Sequence, residues 1–331
     1  MYMKKIIFLA HDPGGDDVIW PVYEAFPEGE FRKVFWGIGP AGERHPDDRQ
    51  EESDVLKKLE DLLQSQSIVL LVTGTSWGNQ TELLCIRLCR KWNVPTVSIL
   101  DYWSNYSNRF LMELSTGGEY IYPDYYFVMD EMAKKEAISD GLPEDILRVV
   151  GHPGLDKYLL MGKRKPVFSG NRSVLFLSQP LSVLYGNTLG YDEYIAFEDL
   201  REVCEELSLD VHIKFHPKDS ANFREQYKKF SVEGNTDDLM LQHGMVVGMS
   251  TMALLHGGLM GVPVISYQPN LLGKDGCITN RLGISRGCYT KDELKRTMLE
   301  KESGAWNCDY VGRREFSTPR VVEKLLRIIH E

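Results

Sequence analysis

The sequence predicts an α/β protein built from two doubly wound parallel-sheet domains that face each other across a cleft. Three observations carry that expectation. The 331 residues exceed what one core needs and suit two domains of about 150 residues each. Short apolar runs alternate with amphipathic helical patterns from end to end, which implies a parallel sheet flanked by helices. One unit also recurs. Residues 69–100 read Val-Leu-Leu-Val-Thr-Gly74-Thr-Ser76, a helix, then Val94-Pro95-Thr96-Val97-Ser98. Residues 245–267 read Met-Val-Val-Gly248-Met-Ser250-Thr251, a helix, then Val262-Pro263-Val264-Ile265-Ser266. A repeat at matching places in two halves favours two similar domains.

The elements follow in order. Lys4 to Ala10 reads as a buried strand, broken by Asp12-Pro13-Gly14-Gly15, with a helix beginning near Asp16-Asp17. Phe31 to Trp36 is a second strand, and Leu56, Leu59, Leu62 and Leu63 mark an amphipathic helix. Ser67 to Val72 is another strand. Thr81 to Trp92 is helical, with a broad apolar face of Leu83, Leu84, Ile86, Leu88 and Cys89. Strands follow at 96–100, 125–129 and 147–150. Gly151-His152-Pro153-Gly154 closes a first domain, 1–155, and 156–170 reads as a linker. The second domain, 171–318, has strands at 173–178, 211–215, 245–247 and 262–266. Its helices fall at 194–207, from Thr251, and near 291–301. A last helix, 319–330, is free to pack back on the first domain.

Composition narrows the function. Lys+Arg 38 against Asp+Glu 48 gives a net charge of -10, which repels phosphate backbones and argues against a nucleic-acid binder. No apolar run approaches the roughly 18 residues of a membrane span, so no transmembrane segment is expected. Ile6 to Ala10 is too short for a signal-peptide core. Cysteines 85, 89, 204, 277, 288 and 308 form no C-x-x-C pair. They suit a reducing cytoplasm, with Cys85 and Cys89 as small core residues.

In such folds ligands bind at the carboxyl ends of strands. There His11 and Asp12 are candidates for proton transfer, and Gly14 and Gly15 allow close backbone approach and positive φ. Gly37-Ile-Gly39-Pro-Ala-Gly42 matches G-x-G-x-x-G as a string. No apolar-faced helix follows it, so it reads as a loop and not as a dinucleotide fingerprint. Gly74-Thr75-Ser76-Trp77-Gly78 matches a nucleophile elbow, but no histidine follows Tyr267 until His330. Ser76 therefore reads as a helix-start or ligand-contacting hydroxyl. Asp101 and Trp103 end another strand and suit a sugar or alcohol. On Val211 to Lys218, His212, Lys214 and His216 share one face. Two histidines straddling an ammonium make a poor cation site, so no metal is expected. His216 with Lys214 or Lys218 suits a phosphate instead. Gly248, Ser250 and Thr251 open a helix whose amides and dipole favour the same anion.

Phe215-His216-Pro217-Lys218 with Ser250-Thr251 and Gly261-Val262-Pro263-Val264-Ile265 resembles the donor half of bacterial sialyltransferases and CDP-glycerol glycerophosphotransferases. Gly151-His152-Pro153-Gly154-Leu155-Asp156 is similar to the interdomain segment of UDP-N-acetylglucosamine 2-epimerases. All belong to the GT-B superfamily, and the resemblance implies two Rossmann-like domains with a nucleotide donor held mainly by the C-terminal one. In those families the His-Pro and Ser/Thr motifs contact the donor's nucleotide and phosphates. Leu255, followed by His256, stands where many GT-B enzymes hold ribose with a glutamate, and the epimerases' Gln-Glu-Glu run is missing.

The expected function is a GT-B-like transferase of surface-polysaccharide or glycoconjugate synthesis. It moves a glycosyl or glycerophosphoryl group from a nucleotide-activated sugar or polyol to a small-molecule or glycan acceptor. Donor phosphates would meet Lys214, His216, Lys218, Gly248, Ser250 and Thr251, without metal or other cofactor. His216 would also act in catalysis, with Asp12 or His11 as base. Gly14, Gly15, Asp101 and Trp103 would receive the acceptor. A serine hydrolase using Ser76 and a non-catalytic nucleotide-binding protein are the alternatives, and a homo-oligomer stays open.

Overall fold

The computed structural model describes residues 3–114, 117–164, 172–302 and 315–331. The chain divides into two compact units, 1–156 with 315–331, and 157–314.

The first unit opens with β1 (Lys5–Ala10), α1 (Pro13–Ala25), β2 (Arg32–Gly37), α2 (Gly39–Arg44) and α3 (Glu52–Gln64). It continues with β3 (Ile68–Thr73), α4 (Thr81–Lys91), β4 (Thr96–Ile99) and a hairpin, β5 (Leu111–Leu114) and β6 (Gly117–Tyr120). Then come β7 (Tyr125–Val128), α5 (Glu131–Ser139) and β8 (Leu147–Val149). Six strands form one sheet in the order β2-β1-β3-β4-β7-β8, every neighbouring pair parallel. Ile6 and Phe8 of β1, Leu70 and Val72 of β3 and Val97 and Ile99 of β4 are fully buried against Val18, Ile19 and Val22 of α1. Such β-branched and aromatic strands, covered on both faces, are what a parallel sheet demands.

Helix α6 (Asp156–Arg164) occupies most of the stretch expected to be a linker, and 165–170 of that stretch lie outside the described residues. The second unit then runs β9 (Ser173–Leu177), α7 (Leu181–Tyr185), α8 (Glu193–Glu206), β10 (Asp210–Lys214), α9 (Ala221–Tyr227) and α10 (Thr236–Gln242). After these come β11 (Met245–Gly248), α11 (Met252–Leu259), β12 (Val264–Tyr267), α12 (Ile278–Arg281), β13 (Arg286–Cys288) and α13 (Lys291–Glu302). Its five-stranded sheet, β10-β9-β11-β12-β13, is also parallel throughout. The recurring sequence unit is β3-α4-β4 in one sheet and β11-α11-β12 in the other, at the same rank in each strand order.

The last helix, α14 (Ser317–His330), belongs to the first unit. Val321 and Leu325 are fully buried with the β1–α1 core. Its first turn is tied by Asp156, whose two carboxylate oxygens accept from the Ser317 and Thr318 amides at 2.8 and 2.7 Å. A borrowed carboxylate thus satisfies two amides that a helix start leaves orphaned.

Both sheets reverse their strand order at one place. In the first, successive connections leave β1 toward β2 on one side and β3 on the other; in the second, β9 separates β10 from β11. Such switch points open a crevice at the carboxyl ends of the strands, where the loops after β1 and β3, and after β9 and β11, emerge.

Candidate functional site

At the first switch point, α1 begins at Pro13 with Asp12 as its N-cap residue, three residues earlier than the sequence pattern implies. Proline suits a first helical position because its missing N–H has no partner to lose. Gly14 and Gly15 are therefore helical, and neither takes positive φ. Their use is close approach alone. A Cβ on Gly14 would run into the Asp101 carboxylate, and one on Gly15 would touch the Gly74 backbone at 3.5 Å.

His11 Nδ1 lies 2.6 Å from Asp12 Oδ1, and the other carboxylate oxygen accepts the Trp77 amide at 3.0 Å. An ionised carboxylate only accepts, so Nδ1 carries the proton and Nε2 keeps its lone pair. Nε2 has no hydrogen-bond partner among the described residues. It faces Gly39, where a Cβ would come within 2.6 Å, and Gly39 also has φ +49. The glycine string is thus explained without a dinucleotide. Gly39 makes room for the imidazole, while Gly37 and Gly42 pack backbone to backbone, a Cβ on Gly37 falling 2.9 Å from the Gly42 Cα. The expected loop is in fact the short helix α2.

Asp101 is committed to a buried cation that the sequence did not point to. Arg109, only 8% exposed, donates from one Nη to Asp101 Oδ1 and the Thr75 carbonyl, both at 2.6 Å. Its Nε donates to the Ser104 carbonyl at 3.2 Å. Trp103 does not offer its ring to an acceptor. It is buried, donates from Nε1 to Asp130 at 2.8 Å, and stacks on His152. His152 donates from Nε2 to the Asp101 carbonyl at 2.9 Å, and burial lowers its pKa, keeping it neutral.

Ser76 is neither a nucleophile elbow nor a helix start, because α4 opens only at Thr81 and the Ser76 hydroxyl has no hydrogen-bond partner among the described residues. The Ser76 amide donates to Glu82 Oε2 at 2.8 Å. Glu82 is 2% exposed, and its other oxygen lies over Gly74 with no hydrogen-bond partner among the described residues. Burial pushes its carboxyl up from 4.5 to about 7, against the pull of the Ser76 amide. The signal was present in the sequence. Glu82 sits on the stripe 82-85-86-89, whose other members, Cys85, Ile86 and Cys89, are buried.

At the second switch point, Gln179 Oε1 accepts the Ser250 amide at 2.8 Å across the crevice. Thr251, not Ser250, caps α11, accepting the Ala253 amide at 3.2 Å. The Thr251 and Met252 amides carry no hydrogen bond among the described residues. Gly248 is strand-like and gives room to its own helix, since a Cβ there would press on Thr251 and Leu254 at 3.2 and 3.3 Å. Behind Ser250 stands a buried polar network. Gln268 Nε2 donates to Ser266 Oγ and Asp275 Oδ1, and its Oε1 accepts from the Tyr191 hydroxyl. Burial would raise Asp275, but the donors Gln268, Asn280 and Tyr289 and the Cys277 amide hold its carboxyl below the ordinary value.

His216 follows the edge strand β10. Asp219 accepts its amide at 2.8 Å and Arg224 donates to its carbonyl at 2.5 Å, so its backbone is fixed at both ends. Its Nδ1 accepts the Lys218 amide at 3.1 Å, which leaves Nε2 as the protonated, donating nitrogen. Lys218 is exposed beside it. Lys214 points elsewhere, to Glu233 at 3.3 Å. His212 donates from Nδ1 to His243 Nε2 at 3.0 Å, because His243 Nδ1 already donates to the Leu239 carbonyl. No group of three or more metal-holding side chains occurs among the described residues. Because β9 lies between β10 and β11, the loops that carry His216 and Ser250 leave the sheet two strands apart, on either side of the crevice.

No family model matches the sequence, and no curated protein matches it. Solved structures do. The UDP-GlcNAc 2-epimerase from Methanocaldococcus jannaschii matches with TM-score 0.70 at 14% identity, over 98% of this chain and 99% of that one. The UDP-GlcNAc 2-epimerase from Neisseria meningitidis bound to UDP-GlcNAc gives 0.67 at 12% identity, over 98% and 100%. UGT71G1 from Medicago truncatula, complexed with UDP-glucose, gives 0.53 at 12%, over 99% and 98%. The chain has a GT-B-like fold of two Rossmann-like domains. At such identities the likeness speaks to fold and to nothing finer.

Proposed function

We propose that this protein is an enzyme acting on a nucleotide-activated sugar or polyol, transferring its glycosyl or glycerophosphoryl group to a hydroxyl acceptor. The observation that carries the proposal is a set of three uncommitted donors at the second switch point. His216 Nε2 and the Thr251 and Met252 amides are fixed donors with no hydrogen-bond partner among the described residues, in a fold whose matched structures include complexes with UDP-sugars. A diphosphate bridging the crevice would meet donors from both sides. Leu255 is fully buried and His256 stacks on Tyr158, so α11 presents no carboxylate to a ribose. Most of the binding energy then resides in the phosphates. No metal or other cofactor is called for, since fixed donors stabilise the developing phosphate charge.

The acceptor oxygen bonds to the transferred carbon or phosphorus, its proton passes to a base, and the nucleotide leaves with the electron pair; in the first unit, His11 Nε2 has the lone pair that such a base needs, and Asp12 orients it. The second reading is 2-epimerisation, the activity for which the matched epimerases are named. Product analysis separates the two. With UDP-GlcNAc alone, an epimerase yields UDP-ManNAc and keeps the nucleotide attached. A transferase leaves that configuration unchanged and releases nucleotide in step with an added hydroxyl acceptor. Configurational inversion without nucleotide release would overturn the transferase reading.

A further inference from the structure

The loop after β3 forms one wall of a half-open cleft of ≈ 350 Å³, whose opposite wall is the segment 108–113 leading into the β5–β6 hairpin. We propose that this cleft binds a neutral, hydroxyl-rich ring, the sugar unit of an acceptor. The role as acceptor rests on the transferase reading; the binding does not.

Three features point to that class of ligand. The first is a fixed aromatic platform. Trp77 is 57% exposed, yet its backbone amide is held by Asp12, the neighbouring Ser76 amide by Glu82, and Asn79 by Glu52 at 2.6 Å. An exposed indole on a pinned loop costs little entropy to stack against the apolar face of a sugar. The second is unspent hydrogen-bonding capacity. The Gln80 and Asn108 amides, and the second Nη of Arg109, have no hydrogen-bond partner among the described residues, and all three residues line the cleft. The third is charge. The Arg109 guanidinium is already neutralised by Asp101 at 2.6 Å, and Glu113 adds a carboxylate to the wall. That sum repels a phosphate or carboxylate ligand and leaves neutral hydroxyls as the matching partners.

The test is direct binding, measured apart from turnover. Ligand-observed saturation-transfer NMR is run on the full chain with methyl glycosides of glucose, galactose and N-acetylglucosamine, and with glucose 1-phosphate. At least one methyl glycoside should bind, more tightly than glucose 1-phosphate. Trp77→Ala, at an exposed position where folding is not at stake, should weaken it about tenfold, a typical loss for one stacking partner. Asn108→Ala should weaken it severalfold. If no methyl glycoside binds, if the phosphate binds more tightly, or if Trp77→Ala leaves binding unchanged, the assignment is overturned. A failed transferase assay with intact glycoside binding would instead remove the transferase reading and keep the site.

Discussion

Replacing Glu82 by Gln should remove a pH-dependent penalty from the first unit. The side chain is 2% exposed, with one oxygen on the Ser76 amide at 2.8 Å and the other over Gly74 with no hydrogen-bond partner among the described residues. Burial lifts its carboxyl from 4.5 to about 7. For an acid, a raised folded-state pKa means that the fold holds the proton. Below pH 4.5 both folded and unfolded chains carry it and there is no penalty. Between 4.5 and 7 the unfolded chain releases the proton while the folded one keeps it, so stability falls as pH rises; above 7 the penalty is complete. At 1.36 kcal/mol per pKa unit, the cost between pH 5 and pH 8 is about 2–3 kcal/mol. Gln keeps an acceptor for Ser76 and never ionises. Urea unfolding of wild type and Glu82→Gln at both pH values cancels every other titrating group. The variant should gain about 2–3 kcal/mol on wild type in going from pH 5 to pH 8. A difference independent of pH would refute the reasoning and place an ionised Glu82 in the folded protein at neutral pH.

Three further outcomes are expected. His11→Ala should lower kcat about 10²- to 10⁴-fold while calorimetry shows unchanged nucleotide affinity, as loss of a general base requires. Gly39→Ala, which forces a Cβ to within 2.6 Å of His11 Nε2 at φ +49, should displace the imidazole and lower both kcat and thermal stability in the same protein. Asp156→Ala should cost about 1 kcal/mol in urea unfolding by uncapping α14, and hydrogen exchange should rise first at 317–320.

Much of the fold was legible because its causes are local. Apolar runs such as Ile6–Ala10 and Ile68–Val72 can be satisfied only inside a covered sheet, and the Gly-x-Ser and Val-Pro repeat marks the same rank in both sheets. The site was less legible because its decisive contacts are long-range. His11 and Asp12 sit at a switch point that strand order defines, and strand order is not written in any one segment. Nothing in Ser107-Asn108-Arg109 announces a buried guanidinium, which exists only because Asp101 and Thr75 come to meet it. Trp103 reads as a ligand platform, but Asp130 and His152 claim it, while Trp77, twenty-six positions earlier, is a ring left exposed. Lys214 ends the edge strand β10 two residues before His216, but it turns to Glu233. Glu82 was within reach, as a carboxylate placed on a buried helical stripe.

Calorimetric titration of UDP-GlcNAc into wild type, His216→Ala and Lys214→Ala tests most directly whether the second switch point holds the donor phosphates. His216 Nε2 is a fixed donor beside the crevice, whereas Lys214 is paired with Glu233 at 3.3 Å. A hydrogen bond to a charged group is worth roughly 1.5–3 kcal/mol, so His216→Ala should weaken binding about 10- to 150-fold. Lys214→Ala should stay within about twofold, as expected of an exposed ion pair away from the ligand. Wild-type affinity in His216→Ala, or a larger loss in Lys214→Ala, would contradict the placement of the donor.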